Sequence, residues 1–306
     1  MNGSPVRVSG IWLPMVTPFL DGNVDWKSYE GLLEHYLGAG VAGIFPLGTT
    51  GESPTLSEDE TREIVDRTGS VVAGRAPVFV GVGGNATDKV IRHIERLEGL
   101  AFEGIVSVCP YYNRPGQDGL LQHFTRIAQA TDRPIVIYNI PYRTGVNLTN
   151  DTLLELAQLP TIVGVKDSCG SLAQSLDLLR RRPEGFAVLT GEDAWTYTML
   201  THGADGGILA SAHLATGLFV DIYERIVAND HRGARGVWSR LETLVPLLFK
   251  EANPMPIKYC LWRLGLIRSP ECRLPLTRVS SALAAELDLA LQEMAQEAAA
   301  PPGVRR

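Results

Sequence analysis

Thr161-Ile162-Val163-Gly164-Val165-Lys166-Asp167-Ser168 reads as a buried β-strand that ends in a cation. Apart from Gly164, every residue before Lys166 is apolar or β-branched. A continuous apolar run, unlike an alternating one, marks a strand covered on both faces, as in a parallel sheet. Lys166 at the end of such a strand has two options. It pairs with an acid such as Asp167, or it lowers its pKa and works as an amine. A neutral amine in a dry site attacks a carbonyl and forms a Schiff base.

Outward from this strand the same unit recurs. Strands are expected at Gly10–Thr17, Gly43–Leu47, Pro77–Val82, Gly104–Val108, Ile135–Asn139, Ile162–Lys166, Ala187–Gly191 and Gly207–Ala210. Helical spacing follows each, near Trp26–Leu37, Glu58–Val72, Asp88–Leu97, Leu120–Ala130, Asp151–Gln158, Leu172–Arg180, Trp195–Thr201 and Gly217–Asn229. Ser57 with Glu60 and Ser171 with Gln174 fit capping boxes, and Asp25 precedes the first helix. Strict β–α alternation implies parallel strands, and eight units can close into an α/β (β/α)8 TIM barrel. The barrel is expected over residues 1–230. Residues 231–306 are expected to form a C-terminal helical region packed on it, with helices near Arg235–Phe249, Pro256–Leu264 and Val279–Ala298 and a frayed tail from about 298.

Composition narrows the function. The chain has 306 residues, 45% of them hydrophobic, enough for a sizeable core. A net charge of −6 argues against nucleic-acid binding, which needs clustered positive charge. Cys109, Cys169, Cys260 and Cys272 form no C-x-x-C pair, and the six histidines are scattered. No zinc site or disulfide framework is implied, and a reducing cytoplasm is expected. The first apolar run, Ile11 to Val16, is too short for a signal peptide or membrane span.

In a closed barrel the chemistry lies at the C-terminal ends of the strands. After the second strand, Gly48-Thr49-Thr50-Gly51-Glu52 forms a turn suited to a small carboxylate. Pro110-Tyr111-Tyr112-Asn113-Arg114-Pro115, after the fourth, suits a rigid loop that projects a phenol. The fifth supplies Tyr138, and Arg143 beyond it can bind a second carboxylate or form a structural ion pair, for example with Glu52. Gly191 ends the seventh strand and lets a ligand approach, beside Glu192 and Asp193. One mechanism unites these residues: Lys166 is the nucleophile, Tyr138 moves protons, and the Thr49–Thr50 turn holds a 2-oxo acid carboxylate. The iminium is itself the electron sink, so neither metal nor cofactor is called for.

These segments, with Asn253-Pro254-Met255-Pro256-Ile257-Lys258, occur in family order from about Ile11 to Leu276. The chain resembles the dihydrodipicolinate synthase and N-acetylneuraminate lyase family of Schiff-base lyases. The resemblance implies that Lys166 forms an imine with pyruvate, that Tyr138 shuttles protons through Thr49 and Tyr112, and that Thr50 binds the pyruvate carboxylate. It implies that the Gly191 and Ile208 backbones line the lysine pocket. It also implies a homotetramer, a dimer of dimers in which Tyr112 crosses from a neighbouring subunit. Arg143, in the pattern R-T-G, and Arg273-Leu274-Pro275-Leu276 resemble the synthases, where the arginine holds the carboxylate of L-aspartate 4-semialdehyde. The implied activity is condensation of that aldehyde with pyruvate, in lysine and diaminopimelate biosynthesis. Tyr142, Leu209 and His213 depart from the family pattern and bear on the second substrate. Glu58, Thr61 and Lys89 replace residues that bind inhibitory lysine in other members.

Three other readings compete. A 2-keto-3-deoxy sugar acid aldolase would keep Lys166, Tyr138 and the Thr49–Thr50 turn. An NAD-dependent oxidoreductase would use Gly81-Val82-Gly83-Gly84-Asn85-Ala86, which fits G-x-G-x-x-G/A, with Glu103 on the ribose; but the motif follows the third strand, not the first of a βαβαβ half. A non-catalytic ligand-binding relative would have lost part of the set Lys166, Tyr138, Thr49 and Tyr112.

Overall fold

The computed structural model describes residues 8–299. Eight parallel strands form one sheet: β1 (Gly10–Pro14), β2 (Gly43–Phe45), β3 (Phe79–Gly81), β4 (Gly104–Val108), β5 (Ile135–Asn139), β6 (Ile162–Asp167), β7 (Ala187–Thr190) and β8 (Gly206–Ile208). Their spatial order is β2-β1-β8-β7-β6-β5-β4-β3. A parallel bridge between Ile44 and Val78 joins the two ends, with Ile44 N–H donating to Pro77 O at 3.0 Å and Gly81 N–H to Pro46 O at 2.9 Å. The sheet is therefore a closed barrel, as the alternating sequence predicts.

The interior is filled in matched large and small steps. Trp12, Phe45, Phe79, Val106, Val136, Tyr138, Leu189 and Ile208 form one buried cluster inside the barrel. Trp12 and Phe79 meet edge to face at 5.0 Å. A Cβ on Gly43 would sit 2.3 Å from the Trp12 ring, and one on Gly104 2.5 Å from Phe79, so these strand glycines make room for aromatic neighbours. A second, larger apolar cluster lies between the strands and the outer helices.

Those helices are α1 (Trp26–Gly38), α2 (Glu58–Val72), α3 (Thr87–Arg96), α4 (Gln117–Gln129), α5 (Asn150–Leu156), α6 (Leu172–Arg181), α7 (Thr196–Thr201) and α8 (Thr216–Val227). Both arms of the Ser57–Glu60 capping box are present. The second expected box is only half made. Ser171 Oγ accepts from Gln174 N–H, but Gln174 Oε1 accepts from Asn147 Nδ2 at 2.8 Å instead. Asp25 caps α1 through Ser28 and is ion-paired with Arg268. Beyond the barrel lie α9 (His231–Trp238), α10 (Leu244–Leu247), α11 (Met255–Arg263) and α12 (Ser281–Ala299).

Local differences from expectation have physical causes. The single helix expected over Arg235–Phe249 is two, because Pro246 has no N–H for the carbonyl four residues back. A small hairpin, Phe19–Leu20 against Asn23–Val24, turns through Asp21-Gly22 with φ of 52° and 80°. Asp-Gly is a recognised signal for such a turn, but flanking strands of two residues each carry no alternating pattern to mark it. The tail expected to fray lies, beyond Ala299, outside the described residues.

Candidate active site

Lys166 sits near the C-terminal end of β6, directly opposite Tyr138 on β5. Strand alternation turns Lys166 inward and Asp167 outward. Asp167 is engaged on its own side, accepting from Ser175 Oγ at 2.5 Å and from Cys169 N–H at 3.1 Å. A Lys166–Asp167 pair is thereby excluded. Lys166 is 6% exposed, and among the described residues no carboxylate oxygen lies within ion-pair distance of it. Its Nζ is 4.2 Å from the Tyr138 ring centre and 5.5 Å from that of Phe45. Burial lowers its pKa to about 8; the charges of Asp193 and Glu192 oppose that shift, and Arg143 adds to it. Burial also raises the Tyr138 phenol above its ordinary value.

The turn after β2 is tied down from several sides. Residues Thr49–Gly51 form one 3-10 turn, with Thr49 half-buried and Thr50 buried. Thr50 Oγ1 accepts from Asn253 Nδ2 at 2.9 Å, and Thr17 Oγ1 donates to Gly51 O at 2.8 Å. Glu52 ends the turn at φ 53°. Its buried carboxylate is ion-paired with the fully buried Lys258 and accepts from Arg273 N–H at 2.9 Å. The suggested Arg143–Glu52 ion pair is therefore not formed. Arg143 is exposed, its guanidinium 5.7 Å from the Tyr142 ring centre, and it reaches Lys166 and Tyr138 through its charge.

The end of β7 forms the opposite wall. A Cβ on Gly191 would meet Ser168 Oγ at 2.3 Å and Lys166 Cε at 2.8 Å. Gly191→Ala should thus displace the lysine; slowed pyruvate imine formation with near-native circular dichroism is the expected result. Ile208, 1% exposed, packs into the barrel interior behind this wall. Glu192 and Asp193 follow Gly191. They bring negative charge to Lys166, an aspect their place in a strand-end tripeptide does not reveal. Neither Asn253 nor Lys258 was distinguishable as a site support, since each acts across more than 200 residues of chain.

Tyr112 stands apart. It is 89% exposed, at φ 74°, on a loop pinned by Asn113 Nδ2 to Asn85 O and Arg114 Nε to Gly145 O, both 2.8 Å. Among the described residues it makes no hydrogen bond to Thr49 or Tyr138, and none joins those two. His213, flagged as a departure in the second-substrate pocket, lies behind the wall instead. Its Nε2 bonds Pro14 O at 2.9 Å and its Nδ1 the Tyr36 hydroxyl at 2.7 Å. Burial pulls its pKa down to about 4, which keeps it neutral. Leu209 is likewise core. Glu58 is ion-paired with Arg96 at the surface.

The glycines of the dinucleotide-like motif serve packing. A Cβ on Gly81 would be 2.2 Å from Leu47 O, and one on Gly83 2.5 Å from Val108. Glu103 precedes β4, at the end of the barrel away from Lys166, where it accepts from Val78 N–H at 2.7 Å. The supposed ribose ligand is thus a strand-start cap.

The closed (β/α)8 barrel places a buried amine, with no ion-pair partner among the described residues, at the C-terminal ends of its strands. The chain belongs to the dihydrodipicolinate synthetase family, whose model matches residues 7–294. It is 48% identical over 283 residues to 4-hydroxy-tetrahydrodipicolinate synthase 2 of Clostridium acetobutylicum, covering 92% of this chain and 99% of that protein. It is 42% identical over 274 residues to the 4-hydroxy-tetrahydrodipicolinate synthase of Nitrosomonas europaea, covering 89% and 94%. The structure of the corresponding synthase from Methylacidiphilum fumariolicum superposes with a TM-score of 0.93 at 36% identity, covering 96% and 98% of the two chains.

Proposed function

We propose that this protein is a 4-hydroxy-tetrahydrodipicolinate synthase, condensing pyruvate with L-aspartate 4-semialdehyde in lysine and diaminopimelate biosynthesis. The observation that carries the reading is the Lys166 amine against Tyr138, without an ion-pair partner among the described residues, within a chain so similar to synthases along its length. The neutral amine adds to the pyruvate carbonyl carbon and expels water, giving an iminium. That cation acidifies the adjacent methyl group. Loss of a methyl proton gives an enamine, whose carbon attacks the aldehyde; the substrate's amine, once deprotonated, then adds to the iminium carbon and displaces the Lys166 amine, closing the ring and freeing the enzyme. On this reading Tyr138 moves these protons, with Thr49 and a neighbouring subunit's Tyr112 as relay partners. The Thr50 turn and the Gly191 and Ile208 backbones would line the pyruvate end. The exposed Tyr111, Tyr112 and Tyr142 suit burial in a homotetramer, and a cytoplasmic location fits four free cysteines.

Arg143 is assigned to the semialdehyde carboxylate, because its guanidinium is exposed, forms no ion pair among the described residues and acts through its charge on Lys166 and Tyr138. Losing a charge-assisted bidentate pair costs about 2–3 kcal/mol. Arg143→Ala should therefore lower kcat/KM for the semialdehyde by one to two orders of magnitude while changing the KM for pyruvate little. Equal losses on both substrates would remove the case for a synthase. The deciding assay for the whole reading sets aspartate semialdehyde against hydroxy-aldehydes, each with pyruvate. Preference for the hydroxy-aldehydes would make the protein a sugar-acid aldolase.

A further inference from the structure

Three acids lie in electrostatic contact with the candidate pocket, and two are already used. Asp167 accepts from Ser175 Oγ and Cys169 N–H. Asp193 Oδ1 accepts from Ser211 N–H at 2.7 Å and from Ser211 Oγ at 2.5 Å. Glu192 differs from both. Its Oε1 is fully buried and has no hydrogen-bond partner among the described residues. Its backbone is fixed: Glu192 N–H donates to Thr190 Oγ1 at 3.2 Å, and the same hydroxyl donates to Glu192 O at 3.3 Å. The carboxyl is thus held just beyond Gly191 with an open acceptor. A buried acceptor left without a donor is costly, and such positions mark where a ligand supplies one.

The titratable groups that face this carboxyl are Lys166, Asp167 and Asp193, together with the phenols of Tyr138 and Tyr142. Arg143 acts on Lys166 through its charge. Lys166 is committed to the carbonyl of the first substrate and Arg143 to the carboxylate of the second. The second substrate, on the reading above, also carries an α-ammonium, which needs an anionic acceptor. We propose that Glu192 holds the ammonium of the aldehyde substrate and sets the pocket's preference for an amino-bearing aldehyde over its des-amino counterpart. Together with Arg143 it would read both charged groups of the amino-acid end and orient the aldehyde toward the enamine.

Burial, with the charges of Asp193 and Asp167, raises the Glu192 carboxyl to about 7, against the pull of Lys166. The group is an anion above that pH and neutral below it. Discrimination in favour of the ammonium substrate should therefore grow as pH rises through about 7.

The test compares aspartate semialdehyde with succinate semialdehyde, the latter as co-substrate or competitive inhibitor, on the full-length protein and on Glu192→Gln and Glu192→Asp. Gln keeps the size and removes the charge, and the carboxyl is already neutral below pH 7, so the fold should persist. In Glu192→Gln the preference for the amino-bearing aldehyde should fall at least about tenfold, through its KM, and lose its pH dependence. Asp should retain part of the preference. Trapping of the pyruvate imine by borohydride serves as the separate check on the lysine chemistry. Equal losses for both aldehydes, no loss, or a pH-dependent preference surviving in Glu192→Gln would overturn the role of Glu192 alone. Intact imine trapping with no turnover of aspartate semialdehyde by the unaltered protein would overturn the substrate assignment and this role together.

Discussion

Borohydride added together with pyruvate should inactivate the protein irreversibly, and peptide mapping should find the reduced pyruvyl adduct on Lys166 and on no other lysine. Borohydride or pyruvate alone should do nothing. The expectation rests on the state of the amine. Lys166 is buried, faces the Tyr138 and Phe45 rings, and has no ion-pair partner among the described residues. Burial is the dominant reason its pKa falls to about 8. The sign follows directly: below about 8 the amine is protonated and has no lone pair to offer, so imine formation should speed up with pH and level off above it. By contrast, an ordinary exposed lysine would still be gaining reactivity near 10. Lys166→Ala should lose turnover by several orders of magnitude and take no label. Lys166→Arg should fail equally, because guanidinium stays protonated. Label elsewhere, or turnover surviving in Lys166→Ala, would sink the mechanism while leaving the barrel untouched.

Much of this is legible in the residues alone. The strand ending in Lys166 is marked by an apolar run that only a doubly covered strand explains. Its neighbour Tyr138 follows from barrel order, since consecutive βα units place β5 beside β6. Register was not legible: nothing in the chain says that Tyr138 rather than Asn139 stands opposite Lys166. Long-range polar partners were hidden too. Glu52 looked available to Arg143 because both follow strands at the same end of the barrel, yet Lys258, 206 residues away, takes it. His213 stands out as a departure from the family pattern that bears on the second substrate, whereas its two ring hydrogen bonds lie behind the barrel wall. Periodicity reports which face is apolar; it does not report which polar atoms meet across the fold.

Lys258 gives the second large effect. Its ammonium is ion-paired with Glu52, donates to Glu271 O at 2.8 Å and lies 4.1 Å from the Phe19 ring centre, with none of its side chain exposed. Lys258→Met should destabilise the protein by about 3–5 kcal/mol, because it strips the buried Glu52 carboxylate of its ion-pair partner and leaves it Arg273 N–H and the Cys272 thiol. The measurement is the denaturant midpoint at unchanged slope. Glu52→Gln combined with Lys258→Met should be more stable than Lys258→Met alone. Gln removes the stranded charge and keeps an oxygen for Arg273 N–H, so the pair would show strong coupling in a double-mutant cycle. Function should separate from stability in the same cycle. Thr50 is held between Asn253, five residues before Lys258, and the turn that Glu52 closes. With the clamp gone from both sides, the doubly substituted protein should recover its fold yet keep a raised KM for pyruvate. A loss below about 1 kcal/mol in Lys258→Met would mean that the buried pair does not stabilise this fold, and native pyruvate affinity in the double variant would mean that it does not position the Thr49–Thr50 turn.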